Sequence, residues 1–444
     1  MEGEIGRFGF PLYEAVDGSG RVVHRGADGF PGRQPREWHK TEGFREVALC
    51  LEASKRSYRD NAAHLNRSRR QVQGGTPVTT LQDNARKEGS RVLGFLERHS
   101  QSVLEAHGFD ARGQPGEAPV AQFKEGADRR LDAKQVREGL ALVCQGMAAR
   151  GFSPAQIATV RKQAADAVHE DPAHCTNVAI DDVDVKKQKA QRERPKARAT
   201  EAPAQGDAPP AAPVAPARTA KRPKVANTVA RIDQGAKSFT LSGGRVGPVL
   251  RFVLAFLLGN GLLSGRVHVF TDGYKSLQNA IVAFFAWHPR VWLVLDWYHL
   301  VKKFKEDLSL ACRGRAIRNG HLRPLVRFLW HGLVTEARQH LAAIPAGDLK
   351  DVDAIKRLDG YLERNKGSIP CYALRSRLGL RNASSPVESA NNEVTARRQK
   401  RNGMSWSKPG SHALTALSVL VRNGGHATWV REHTIPLRFV NKAA

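Results

Sequence analysis

Arg266-Val-His-Val-Phe-Thr-Asp-Gly-Tyr-Lys-Ser-Leu-Gln-Asn-Ala-Ile-Val-Ala-Phe-Phe-Ala-Trp-His-Pro-Arg-Val-Trp-Leu-Val-Leu295 decides the fold class of this chain. Two β-branched apolar runs, 266–271 and 290–295, bracket a helical pattern from Tyr274 to Ala286. Strands that alternate with helices imply a parallel βαβ unit. The apolar run Val246 to Leu258 just before it, ending at Asn260-Gly261, reads as another helix. Further upstream, Asn177-Val-Ala-Ile-Asp-Asp-Val-Asp-Val185, Ala226 to Ile232 and Lys237 to Leu241 carry the alternation of strands.

From Val178 the order is therefore three strands suited to a meander, a helix, a strand, a helix and a strand. That is the element order of an RNase H-like mixed sheet, and the expected class is α/β. Residues 298 to about 375 read as helical throughout, which predicts an all-α insertion, and a last long helix is predicted from Pro386 to Arg401. Residues 1–40 are Gly-rich and predict irregular structure. Residues 41–170 read as mainly helical. Within them Tyr58 to Arg70, then Gly74-Gly75, then Thr76-Pro77 give a helix, a glycine turn and a second helix that Thr76 would cap. Ala62, Ala63 and Leu65 form its apolar face, and the unit has helix-turn-helix character, although a plain two-helix packing unit has the same periodicity. Ser153-Pro154-Ala155-Gln156 starts a further helix. The expected organisation is 1–40 irregular, 41–170 mainly helical, 171–300 the sheet core, 301–380 an all-helical insertion and 381–444 the last part of the sheet domain.

The segment 186–225 has 11 basic and 3 acidic residues, 7 prolines and 11 alanines, and cannot pack a core. It reads as a disordered basic loop between two strands of one domain; a linker between separate domains is the competing reading. Across all 444 residues, 70 Lys+Arg against 43 Asp+Glu leave a formal charge of +27, which points to a polyanionic partner. The apolar run at 246–258 is interrupted by Arg251 and falls short of the roughly 20 residues of a membrane span. Met1 to Val16 does not read as a signal peptide, so a cytoplasmic protein is expected. Cys50, Cys144, Cys175, Cys312 and Cys371 are scattered, with no C-x-x-C pair, and indicate neither a disulfide framework nor a zinc site.

Three carboxylates stand where such a fold gathers chemistry. Asp181, with Asp182 beside it, lies on the first strand, Asp272 closes the strand 266–271, and Glu388 begins the late helix. The first and fourth strands of this fold are neighbours, so Asp181 and Asp272 would meet. Hard oxygen donors suit Mg²⁺ or Mn²⁺, and two such ions serve in-line displacement at phosphorus. Each residue also has a plainer reading. Asp272-Gly273 is a common strand-to-turn signal, Ser385 to Glu388 matches a capping box, and Asp181 to Asp184 suit solvated acids. Glu393 stands four residues before Arg397, the spacing of a helix-surface ion pair. Asp296 and His299, at a strand end and a helix start, form a bracing pair or, alternatively, a helix cap.

Taken together, Ile180-Asp-Asp-Val-Asp-Val-Lys-Lys-Gln188, Thr271-Asp-Gly273, Leu295-Asp-Trp-Tyr-His-Leu300, Leu378-Gly-Leu-Arg-Asn-Ala-Ser-Ser-Pro-Val-Glu-Ser-Ala-Asn-Asn392 and Arg398-Gln-Lys-Arg-Asn-Gly-Met-Ser-Trp406 resemble the DDE transposases of bacterial insertion sequences with a Mutator-like catalytic domain. The resemblance runs from about residue 177 to the C-terminus. It implies Asp181, Asp272 and Glu388 as catalytic metal ligands for two Mg²⁺ or Mn²⁺ ions, with Asp296 and His299 as the family's C/D-x-x-H element. Many relatives have Asp-Gly at the first acid, where this chain has Asp181-Asp182, so Asp182 is the alternative to Asp181 for that role. The implied activity is cutting of DNA at element ends and joining of the 3′-hydroxyl to a target. Terminal inverted repeats and target DNA are then the partners, with a homo-oligomer assembled on DNA, associated with the nucleoid. Arg67, Arg69, Arg70 and Thr79 would read the ends, and Arg375, Arg377, Arg381, Arg397, Arg398, Lys400 and Arg401 would hold phosphates. A nuclease or resolvase without strand transfer, and a catalytically dead DNA-binding descendant, are the alternative readings.

Overall fold

A computed structural model describes residues 2–3, 6–7, 14–16, 22–25, 42–68, 75–124, 129–188, 223–401 and 404–439. Where residues 1–40 are described they form two small antiparallel hairpins rather than irregular chain, β1 (Glu2–Gly3) with β2 (Gly6–Arg7) and β3 (Glu14–Val16) with β4 (Val22–Arg25). Among the described residues six helices follow: α1 (Glu42–Glu52), α2 (Tyr58–Ser68), α3 (Val78–Ala106), α4 (Glu117–Lys124), α5 (Ala133–Ala149) and α6 (Pro154–Asp166). The last starts at Pro154, as the Ser153-Pro154-Ala155-Gln156 run predicts, and the structure adds a capping box between Ser153 and Gln156.

One five-stranded sheet organises the rest, in the order β7 (Lys237–Gly243), β6 (Lys224–Gln234), β5 (Thr176–Lys186), β8 (Val267–Thr271), β9 (Val291–Leu295). β6 runs antiparallel to β5 and β7, and β5, β8 and β9 are parallel. Lys186 pairs with Lys224, so the chain that leaves β5 returns to the neighbouring strand of the same sheet. The segment 189–222 lies outside the described residues.

Side chains alternate across the pleat, and the two faces bury against different helices. Val178, Ile180, Ala230, Ile232, Val267 and Val269 join a core with α3, α7 (Val246–Gly259) and α8 (Lys275–Phe285). Ala179, Val229, Phe270 and Val294 join the other with Leu300, Phe304, Leu358 and Leu362 of the helical insertion. That insertion comprises α9 (Trp297–Ala311), α10 (Arg315–Trp330), α11 (Val334–Ala342), α12 (Val352–Asn365) and α13 (Tyr372–Arg377). Each fully buried aliphatic or aromatic side chain contributes about 1.5–3 kcal/mol, so both layers hold the sheet firmly. The apolar run 246–258 is thus a core helix, and no helix among the described residues is long and apolar enough to cross a membrane.

The late helix has the expected extent, but its second half changes type. α14 (Ser385–Asn391) passes into a π-helical run, Asn392–Lys400, before α15 (Lys408–Arg422) and α16 (His426–Glu432). At the other end, Leu81, Ala85, Val92 and Leu96 of α3 lie in the same core as the sheet. α3 crosses α15 so closely that a Cβ at Gly89 would meet the Ala413 backbone, which only glycine permits. Two local expectations at 58–80 change. Pro77, not Thr76, is the residue before the first turn of α3, and Thr76 is instead clamped by Asn66, whose Oδ1 accepts its N–H at 2.7 Å. Ala63 faces solvent while Ala62 and Leu65 are buried. Gly74 lies outside the described residues.

Candidate active site

Strand register assembles the acids. Thr271 pairs with Leu295, so Asp272 and Asp296 leave the sheet side by side at the C-terminal ends of parallel strands. Ala179 pairs with Phe270 in parallel register, and two residues further along Asp181 comes level with Asp272. Pleating separates Asp181 from Asp182. Asp181 shares the face of Ala179, beneath α14, where Asn391 Nδ2 donates to its Oδ2 at 2.6 Å. Asp182 turns to the opposite face and accepts from Thr228 Oγ1 at 2.5 Å. Asp272 Oδ1 accepts the Tyr274 N–H at 2.8 Å, a turn that fixes its carboxylate at the strand end.

Asp296 is 1% exposed and both of its oxygens are engaged. Oδ1 accepts the His299 N–H at 2.8 Å, capping α9, and lies 3.2 Å from His299 Nδ1; Oδ2 accepts the Ser384 N–H. The cap and the brace are therefore one arrangement. By holding Ser384, Asp296 anchors the loop that launches α14 over the strand ends, and the neighbouring Trp297 N–H donates to Asn382 O at 3.1 Å. Glu388 makes no capping box, since Ser384 precedes α14 without a side-chain cap. The Glu388 carboxylate instead turns to His299, with Oε1 3.3 Å from Nε2. Asp296, His299 and Glu388 so form a chain from the sheet to the half-exposed third acid.

Charges follow from this crowding. Burial first, and then the Asp272 carboxylate, push Asp181 up from 3.8 to about 6. Burial and the nearby acids Asp184 and Asp272 raise Asp182 against the Thr228 bond. Burial works to raise Asp296, but its bonds from His299 and Ser384 outweigh it and hold the carboxyl below its usual range. Asp296 in turn lifts the His299 imidazole above its ordinary value, against burial, with Glu388 and Asp272 adding to the lift. Asp181, Asp272 and Glu388 do not draw within 4.8 Å of one another as one group.

The group of metal-ligating side chains that does, among the described residues, is Glu170, Cys175 and His268, at the opposite ends of β5 and β8. His268 Nδ1 is 2.9 Å from Cys175 Sγ and its Nε2 is 3.9 Å from Glu170 Oε2. The three side chains gather as a buried cluster of thiol, imidazole and carboxylate, one donor atom of each within 4.8 Å of the others. All five cysteines are free thiols.

The basic residues divide. Arg67, Thr79, Arg377, Lys400 and Arg401 are exposed, and Arg397 is half-buried. Arg69 and Arg70 lie outside the described residues. Arg381 is paired with Asp233 at 2.7 Å. Arg375 and Arg398 are buried and cannot reach a phosphate. Arg375 donates to Arg381 O at 2.7 Å, and Arg398 packs against the Tyr58 and Trp406 rings. Glu393 pairs with Arg422 of α15 rather than with Arg397.

Asn391, Ser384, Thr228 and Tyr361 are site neighbours that sequence reasoning did not single out. For Asn391 a signal existed, since it stands three residues after Glu388 on the same helix face. A buried polar network seats the π-helical run: Gln399 Nε2 donates to Thr415 Oγ1 at 2.9 Å, Ser411 Oγ to Gln399 Oε1 at 2.6 Å, and Asn227 Nδ2 to Ser411 Oγ at 2.8 Å. π-helical turns recur at functional sites, and this one follows directly on the helix that carries Glu388. No family model, curated protein or solved structure matches the chain.

Proposed function

We propose that the chain is a DDE transposase of an insertion sequence, built on an RNase H-like core, that cuts DNA at element ends and joins the 3′-hydroxyl to a target. The observation that carries this reading is the convergence of Asp181 and Asp272 at adjacent strand ends, with Glu388 brought over them through Asp296 and His299. The strand order, with the second strand antiparallel to its neighbours, supports the fold reading.

The donor set fits a hard divalent cation. Two carboxylates come level at adjacent strand ends, and burial, followed by the charge of Asp272, holds a proton on Asp181 to about pH 6, a site where a cation would supply the missing countercharge. Asp181, Asp272 and Glu388 would hold Mg²⁺ or Mn²⁺, two ions for the full reaction. Bound there, the ions supply Lewis acidity for activating water or a 3′-hydroxyl and for stabilising the leaving oxygen. The chain's own residues do the rest. Asn391 orients Asp181, the Tyr274 N–H orients Asp272, and Asp296 with His299 sets the reach of Glu388. Lys400 and Arg401, exposed beyond the third acid, and Arg67, exposed at the end of α2, supply phosphate contacts. Assembly as a homo-oligomer on the paired ends belongs to this proposal.

The deciding experiment incubates the full chain with Mg²⁺ and the DNA that flanks its coding sequence, and looks for cleaved and joined ends. Both products are expected, and Asp272→Asn should abolish both while sparing DNA binding. Cleavage without joining would favour a nuclease or resolvase; neither product would favour a DNA-binding protein without catalysis.

A further inference from the structure

Two aromatic side chains among the described residues stand exposed, Tyr274 at 61% and Tyr298 at 58%. Their placement is not scattered. Asp272 and Asp296 are the first residues beyond the paired Thr271 and Leu295, and each tyrosine lies two residues past its acid. Tyr274 is the residue whose N–H fixes the Asp272 carboxylate, and the Tyr298 ring meets the His299 ring edge to face at 5.5 Å. Cations continue from both. Exposed Lys275 follows Tyr274, and on α9 exposed Lys302 and Lys305 stand four and seven residues after Tyr298, along one helix face. Both rings stand open to solvent beside the acids.

We propose that Tyr274 and Tyr298 form a stacking platform for unpaired DNA bases on either side of the scissile phosphate, with Lys275, Lys302 and Lys305 tracking the backbone away from the cut. This rests on the DNA-cutting reading of the same site. Aromatic faces interleaved with cations are the signature of single-strand binding, because every base offers a π-face and every linkage a charge. A duplex keeps its bases stacked inside, so the platform acts on end DNA whose terminal pairs are opened, and the opening costs less where pairs are weak. The platform therefore makes the enzyme selective for ends that melt readily, without reading a base edge.

The test uses the full chain and flanking-DNA duplexes in two forms, fully paired and pre-opened by mismatches at the cut, with 2-aminopurine placed beside the scissile position. The native chain should change the 2-aminopurine emission on binding the paired duplex. Tyr274→Ala and Tyr298→Ala should each reduce that change and slow cleavage of the paired form by roughly 10-fold. Cleavage of the pre-opened form should be slowed much less, and Phe at either position should restore both readouts, since the ring and not the hydroxyl stacks. Equal cleavage of both forms by native and double-Ala chains, with unchanged emission, overturns the platform. Lack of metal-dependent cutting by the native chain overturns the DNA-cutting reading instead, and the emission change with Asp272→Asn, with and without the tyrosines, still decides the platform.

Discussion

Asn391 Nδ2 donates to Asp181 Oδ2 at 2.6 Å across 210 residues of chain, so the helix that carries the third acid also aims the first. Asn391 is buried and its amide has little freedom to turn away. Partners that orient a ligating carboxylate typically contribute 10–100-fold to metal affinity or activity. Asn391→Ala should therefore raise the Mn²⁺ concentration needed for half-maximal cleavage by about that factor while lowering stability by only about 1–2 kcal/mol. A metal titration of cleavage beside a urea melt measures both, and an unchanged titration would remove Asn391 from the site.

The raised pKa of Asp181 makes stability pH-dependent. The folded chain holds this proton to about pH 6, whereas an unfolded aspartate releases it near 3.8. Its contribution to stability is whole below the lower value and is lost as pH rises through the upper one. Asp181→Asn removes the buried charge, so the variant should exceed the native chain in stability at pH 7.5, by up to roughly 2–3 kcal/mol at about 1.4 kcal/mol per pKa unit, and match it near pH 3.5. Mn²⁺ should stabilise the native chain at pH 7.5 and progressively less below pH 6, where the proton competes for the carboxylate. Thermal melts across pH, with and without Mn²⁺, check both limbs; parallel curves for the two proteins would contradict the assignment.

Much of this site was legible because strand ends are legible. The apolar runs before Asp272 and Asp296 mark buried parallel strands, and their register alone sets the two acids side by side. The Asn391 bond was not: helix spacing places Asn391 beside Glu388, but nothing local announces a partner 210 residues away. Charge misled at Arg375 and Arg398. Composition reads an arginine as surface, yet a flat guanidinium packs against aromatic rings, here Trp292 for Arg375 and Tyr58 with Trp406 for Arg398. Glu393 was assigned to Arg397 on α-helical spacing. The chain there is π-helical, so residues four apart no longer stack, and Glu393 meets Arg422 instead.

Arg398 is 1% exposed, with its guanidinium carbon 4.8 Å from the centre of the Tyr58 ring and 5.9 Å from that of Trp406. It ties α2 to the π-helical run by packing. Burial lowers its pKa, which is to say that its charge is costly where it stands. Arg398→Met keeps the length and removes the charge, and should leave stability equal or higher, whereas Arg398→Ala should lose about 2–4 kcal/mol through the cavity. Neither should alter the slope of DNA affinity against salt. Lys400→Ala and Arg401→Ala, at exposed positions, should each reduce that slope by about one. Affinity measured at several salt concentrations separates the groups, and a shallower slope in Arg398→Met would return Arg398 to the phosphate-binding set.

Gly273 holds a φ of +86°, a conformation that side-chain-bearing residues rarely adopt. A Cβ there would stand 3.0 Å from Leu295 Cδ1 and 3.1 Å from Tyr361 Cε2, and would run into the Tyr361 hydroxyl. Gly273→Ala is thus strained twice, by its own backbone and by its neighbours, and should cost about 1–3 kcal/mol of stability. Relief of the strain must move the turn in which the Tyr274 N–H fixes Asp272, and displacement of a reacting group by about 1 Å costs on the order of 100-fold in rate. Cleavage should consequently fall further than the stability loss explains, even at a temperature where the variant is fully folded. Tyr361→Phe in the Gly273→Ala background removes the hydroxyl clash but leaves the φ strain, so it should recover only part of the stability and little of the rate. Full recovery of both would show that the Tyr361 contact, and not the turn conformation, is what requires glycine beside Asp272.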